Sequence, residues 1–185
     1  MSEQIIVKER DEVIVRFSGD SGDGMQLAGN IFSTVSATVG NDICTFPDYP
    51  ADIRAPQGSL TGVSGFQVHI GSGKVYTPGD LCDVLVAMNA AALKTQYRYA
   101  KPDATIIIDT DSFGPADLKK AAFATEDPLA EMSIDADRNV IVLPTKSVPM
   151  GISAALAFDP EASPEDNEAA MTEAAETVHT ASVTY

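Results

Sequence analysis

The stretch Val13-Ile14-Val15-Arg16-Phe17-Ser18-Gly19-Asp20-Ser21-Gly22-Asp23-Gly24-Met25 decides the fold class of this chain. Its first five residues are a β-branched run that predicts a strand. Gly19, Gly22 and Gly24 then mark a tight turn. From Met25 onward Leu27, Ala28, Ile31, Phe32, Val35 and Val39 recur with helical spacing until Gly40-Asn41 ends the helix. Strand, glycine turn and helix in that order open a nucleotide-binding α/β unit.

The chemistry of the turn is two-sided. Glycines permit positive φ and close approach of a ligand to the backbone, and the following helix offers unpaired N–H groups and a partial positive charge to an anion. The spacing is G-x-x-G-x-G, however, with no Gly-Lys-Ser or Gly-Lys-Thr behind it, so neither a dinucleotide fingerprint nor a Walker loop is present. Asp20 and Asp23 sit in the same turn and repel phosphate unless they point away or hold a cation. The turn is therefore either a ligand loop or a tight turn capped by aspartates. Gly22-Asp23-Gly24 also opens like the magnesium-diphosphate motif of thiamine diphosphate enzymes. The stretch where that motif's asparagine belongs, Phe46-Pro47-Asp48-Tyr49-Pro50-Ala51-Asp52, has none, which argues against thiamine binding by this chain.

Composition narrows the classes. The 185 residues, 44% of them hydrophobic, suit one globular domain with a full core. A formal net charge of −15 makes the Coulomb term repulsive toward nucleic acid and anionic membrane surfaces. Cys44 and Cys82 are the two cysteines, far apart and too few for an iron–sulfur cluster, so both are expected to be free thiols. Met1 to Glu12 is polar and no apolar run reaches the length of a membrane span, so the expected location is the cytoplasm.

Further along, Ile43 to Phe46 predicts a second strand, and Pro47 to Ser59, with three prolines, a long loop of the kind that often carries function. Val63 to Ile70 alternates as a third strand with His69 on its less buried face, a polar residue there rather than a base, and Lys74 to Thr77 suggests a short strand. Val84 to Met88 and Thr105 to Asp109 are apolar runs that suit a central parallel sheet covered on both faces, with a helix over Ala90 to Tyr99 between them. Asn89 and Asp109 fall at the carboxyl ends of these strands, where α/β sheets place ligands. Val140 to Leu143 is a last core strand, Met150 to Phe158 an apolar segment and Glu165 to Val178 an acidic helix. The expected architecture is a three-layer α/β/α sandwich with a largely parallel central sheet and a Rossmann-like glycine loop after the first strand. It forms a single domain over 1–185, with a polar lead at 1–12, the main module at 13–148 and an acidic helical C-terminal segment at 149–185 that is either a natural end or a junction to a further domain.

Three separated motifs, Phe17 to Met25, Phe46-Pro47-Asp48-Tyr49-Pro50-Ala51-Asp52-Ile53-Arg54-Ala55-Pro56-Gln57-Gly58 and Asp83-Val84-Leu85-Val86-Ala87-Met88-Asn89, carry a resemblance. In this order they resemble the gamma module of the 2-oxoacid:ferredoxin oxidoreductases, in particular the form fused to the N-terminus of the alpha subunit in 2-oxoglutarate and related enzymes. The resemblance implies one share of a larger enzyme that oxidatively decarboxylates a 2-oxoacid to an acyl-CoA and reduces ferredoxin. Thiamine diphosphate, Mg²⁺ and the iron–sulfur clusters would lie on partner domains. This module would have no catalytic residue or metal of its own, would be inactive alone, and would contribute coenzyme A access and subunit packing within an oligomer. It implies that Gly19, Ser21, Gly22, Gly24, Arg54 and Asn89 contact the coenzyme, with the glycines facing its phosphates. Arg54 also stands on its own chemistry: a guanidinium in a proline-braced loop pairs with carboxylate or phosphate, or else ties the loop to Asp48 or Asp52. The alternative for the whole chain is a structural or interaction domain with no ligand.

Overall fold

The computed structural model describes residues 10–20, 23–52, 54–134 and 140–143. Six strands form one sheet in the order β2-β3-β1-β4-β5-β6. They are β1 (Glu12–Asp20), β2 (Asp42–Asp48), β3 (Val63–Gly71), β4 (Cys82–Ala87), β5 (Ala100–Asp109) and β6 (Val140–Leu143). Pairing is parallel from β1 through β4 and β5 to β6, while β3 is antiparallel to both of its neighbours. Five strands thus run one way and β3 alone runs against them, so the largely parallel sheet expected from the apolar runs is present with one reversed strand.

Helices cover both faces. On one side α1 (Met25–Thr38) lies against Phe66, Val68 and Ile70 of β3 and Val13 and Phe17 of β1. The approach is close: a Cβ on Gly29 would stand 2.2 Å from the Phe66 ring, so only glycine lets this helix settle on the sheet. On the other side α2 (Ala90–Gln96) and the short helices α3 (Pro115–Lys120) and α4 (Pro128–Glu131) enclose Leu85, Ile106 and Ile108. Met25, Leu85, Leu93 and Ile106 are buried almost completely, each worth about 1.5–3 kcal/mol of transfer free energy.

The structure departs from the expected elements in several places. The first strand continues through Ser18, Gly19 and Asp20, so half of the glycine stretch is sheet. Lys74 to Thr77 forms no strand but part of the irregular loop 72–81. His69 is not on an open face: all nine residues of β3 are buried, and that loop covers His69, whose Nδ1 lies 2.7 Å from the Thr77 carbonyl oxygen. Pro47 is tolerated within β2 because that strand is a sheet edge. The helices α3 and α4 have no counterpart in the sequence reading. Both cysteines are free, Cys82 buried with its thiol pushed up to about 11 by desolvation. Ser21, Gly22 and the segment 149–185 lie outside the described residues.

Candidate functional site

Parallel strands bring their carboxyl ends to one edge, and there the turns after β1 and β4 meet. Asp20 closes β1 and Asn89 follows β4. The peptide N–H of Asp20 donates to Asp23 Oδ2 at 2.8 Å, and the side-chain amide of Asn89 donates to the same oxygen at 2.9 Å. The other end of the Asn89 amide accepts the N–H of Ala92 at 2.8 Å and so caps α2. One asparagine fastens two loops.

This arrangement explains Gly19 and Gly24. A side chain at Gly19 would stand 2.9 Å from Asp23 Oδ2 and 3.2 Å from Met88, so the turn closes only around a bare backbone. Gly24 has φ +74°, the left-handed region in which L side chains are strained, with open space around it. Asp23 does not cap α1, whose N-cap is Gly24 with no side-chain bond. Burial pushes the Asp23 carboxyl up from its ordinary value, helped by repulsion from Asp20 and Asp109, against the bonds from Asp20 N–H and Asn89.

A cleft of about 200 Å³ opens beside these groups, lined by Asp20, Asp23 and Asn89 together with Gly58, Asp117 and Lys120. The proline-rich loop is pulled onto it by a hydrogen bond from Gly58 N–H to Asp20 Oδ2 at 2.5 Å. The second oxygen of Asp20 and the hydroxyl of Ser59 are buried without a hydrogen-bond partner among the described residues. Three carboxylates against one ammonium give the cleft an acidic lining. At the described end of the turn, Asp23 already occupies the Asp20 N–H and adds negative charge, which opposes a phosphate at that N–H. No group of three or more His, Cys, Asp or Glu side chains among the described residues is arranged to hold a metal ion.

Of the six residues singled out in the sequence, the structure brings Gly19 and Asn89 together on Asp23, with Gly24 next in the chain; Ser21 and Gly22 lie outside the described residues. Arg54 stands apart. It is exposed on the proline-rich loop, its peptide N–H donating to Asp52 Oδ1 at 3.0 Å, and it does not line the cleft. Among the described residues it makes no ion pair with Asp48 or Asp52. Asp48 belongs instead to Arg16, a residue the sequence reading passed over. Arg16 is only 3% exposed, and its guanidinium bonds Asp48, Gln96 and Gln67 and lies 4.3 Å over the Tyr99 ring. An arginine in the middle of a β-branched run was its signal, because a charge inside a buried strand needs partners. Gly58 was visible within the proline-rich motif, whereas nothing local marks Lys120.

The model of the family described as pyruvate ferredoxin/flavodoxin oxidoreductase matches residues 14–175. The 2-oxoglutarate oxidoreductase subunit KorA of Mycobacterium tuberculosis is 48% identical over 115 residues, 62% of this chain but 18% of KorA, so the chain spans less than a fifth of that relative's length. Among solved structures, the 2-oxoglutarate:ferredoxin oxidoreductase of Magnetococcus marinus, with 2-oxoglutarate, coenzyme A and succinyl-CoA bound, aligns with a TM-score of 0.56 at 20% identity, covering 96% of this chain and 32% of that one. The gamma subunit of a keto/oxoacid ferredoxin oxidoreductase from Geobacter sulfurreducens aligns with a TM-score of 0.52 at 18% identity, covering 91% and 97%. Both share the fold described above. With the family model spanning most of its length, this chain belongs to the pyruvate ferredoxin/flavodoxin oxidoreductase family.

Proposed function

We propose that the chain is the gamma-type module of a 2-oxoacid:ferredoxin oxidoreductase acting on 2-oxoglutarate or a close analogue, and that it contributes coenzyme A access and subunit packing. The observation that carries this reading is the family match over residues 14–175, joined by 48% identity to KorA. Thiamine diphosphate, Mg²⁺ and the iron–sulfur clusters belong to partner domains, where they supply decarboxylation and electron transfer. The chain is then a cytoplasmic component of an oligomer; no helix of its described residues is long and apolar enough to cross a membrane.

Within the module, the meeting of the Gly19–Gly24 turn with Asn89 forms the wall of the coenzyme approach. Its acidic lining suits uncharged, hydrogen-bonding parts of the coenzyme, and the phosphates are left to Arg54 on the exposed loop. The experiment is calorimetric titration of the assembled enzyme with coenzyme A, comparing the wild type with Arg54→Ala. Loss of one charged hydrogen bond weakens binding by about 1.5–3 kcal/mol. Unchanged affinity in the variant removes Arg54 from the coenzyme path.

A second reading has its own support. Asp23 is held by the Asp20 N–H and the Asn89 amide, and Gly19 and Gly24 are explained by packing and φ with no ligand. A structural module without a ligand has this same geometry, and it predicts that no substitution in the turn alters coenzyme affinity once the protein is folded.

A further inference from the structure

The outer side of α1 is unlike the rest of this molecule. The chain carries 27 acidic and 12 basic side chains, yet none of the 14 residues from Met25 to Thr38 is charged. Leu27 at the start is 65% exposed and Val39, immediately past the end, 62%. Between them the exposed positions are Asn30, Thr34, Ala37 and Thr38. A helix whose outer face meets water ordinarily carries charges there, often as i, i+4 pairs. This one has none, and its Gly, Asn, Ile, Val, Ser and Thr residues are weak helix formers that rely on packing for support.

Three hydroxyls of the helix are already spent on its own carbonyls. Ser33 donates to the Gly29 carbonyl at 2.8 Å, Thr34 to Asn30 at 2.9 Å and Thr38 to Val35 at 2.7 Å. Water can therefore leave this face without stranding those hydroxyl protons, which lowers the cost of covering it. A contiguous neutral face with exposed Leu and Val at its ends is the kind of surface an apolar partner covers.

The occupant follows from chain coverage and net charge. The chain corresponds to 18% of KorA and 32% of the Magnetococcus chain, but to 97% of a separate gamma subunit. This fold is therefore held to its neighbours in one case by a covalent connection and in the other by surface contacts alone. A contact surface has to exist on it, and on a chain of net charge −15 the neutral face is where an uncharged surface docks without desolvating carboxylates. Building on the assignment as an oxidoreductase module, we propose that the outer face of α1, from Leu27 to Val39, is the surface by which this chain docks on the remaining part of the oxidoreductase, against an uncharged, apolar patch of that partner.

The test is co-expression of the full chain with the other parts of the oxidoreductase, followed by size-exclusion chromatography and native mass spectrometry. Leu27→Glu with Thr34→Lys places charges on the face, and Tyr76→Lys, at a residue 82% exposed on the loop over the opposite side of the sheet, is the control. Circular dichroism of each variant confirms the fold; Thr34→Lys alone is the milder variant should the pair fail to fold. The expected result is that the α1 variants enter the complex at least tenfold less than wild type while Tyr76→Lys enters normally. Normal entry of the folded α1 variants overturns the proposal, as does a wild-type homodimer that the α1 charges abolish, which makes the face a contact between copies of this chain. Failure of the wild type itself to join any partner counts against the module assignment rather than against the choice of face.

Discussion

The side-chain amide of Asn89 donates to the Asp23 carboxylate at 2.9 Å while its oxygen caps α2 at 2.8 Å, so a single residue locks the turn after β1 to the turn after β4. These turns are 66 residues apart in the chain, and the cleft lies between them.

Asn89→Ala removes the cap and one of the two hydrogen bonds to the Asp23 carboxylate. A lost cap costs about 1 kcal/mol, and a buried carboxylate deprived of a donor adds about 1–2 kcal/mol. Chemical denaturation should show a fall of about 2–3 kcal/mol. Asn89→Asp keeps the cap but sets two carboxylates against each other, so its deficit should shrink as the pH is lowered, a trend that Asn89→Ala lacks.

Asp23 titrates above its ordinary value because of burial and of its neighbours Asp20 and Asp109. Between the unfolded value of 3.8 and the raised folded value, the folded state binds more protons than the unfolded one. Its contribution to stability is therefore full below 3.8 and declines as pH rises through the folded value. Asp23→Asn keeps an oxygen for the Asp20 N–H and abolishes this decline. Melting temperatures measured from pH 4 to 7 should fall less steeply with pH in the variant than in the wild type, and parallel curves would refute the account.

Asp83 behaves in the opposite sense. Burial works against its ionisation, but bonds from Lys101 and the Ile14 N–H, with Arg10 nearby, outweigh it and hold the carboxyl below the ordinary 3.8. The stability it gives is present above that value and is lost as pH falls through the lower folded one. Asp83→Asn should cost about 1–3 kcal/mol at neutral pH, and this difference from wild type should close in strong acid.

Arg16 and Arg54 separate stability from function. Arg16→Met leaves Gln67 and Gln96 without their buried donor and Asp48 without its cation, a loss on the order of 3–5 kcal/mol in a folding titration. Arg54→Ala touches no described ion pair and should leave the melting temperature nearly unchanged, yet lower kcat/KM of the assembled enzyme by roughly ten- to a hundredfold. Equal stability losses in the two variants would contradict the structure.

What the sequence determined by itself was the alternation of elements. Apolar runs such as Val84 to Met88 and Thr105 to Asp109 can be satisfied only inside a covered sheet, and the helical spacing from Met25 to Val39 is a property of neighbouring residues, so β1, α1, β2, β3, β4, α2, β5 and β6 were all legible, Val140 to Leu143 to the residue. The separated motifs pointed to the family that the comparison over residues 14–175 then established. Tertiary structure alone decided the rest, because it depends on groups far apart in the chain. The reversal of β3, the burial of His69 under the loop 72–81, the placement of Lys120 on the cleft and the claim of Arg16 rather than Arg54 on Asp48 are all of this kind. Asp20 and Asp23 show the difference most directly. As residues they signalled a conflict with phosphate. Only the fold showed Asp23 turned inward onto the Asp20 N–H and the Asn89 amide.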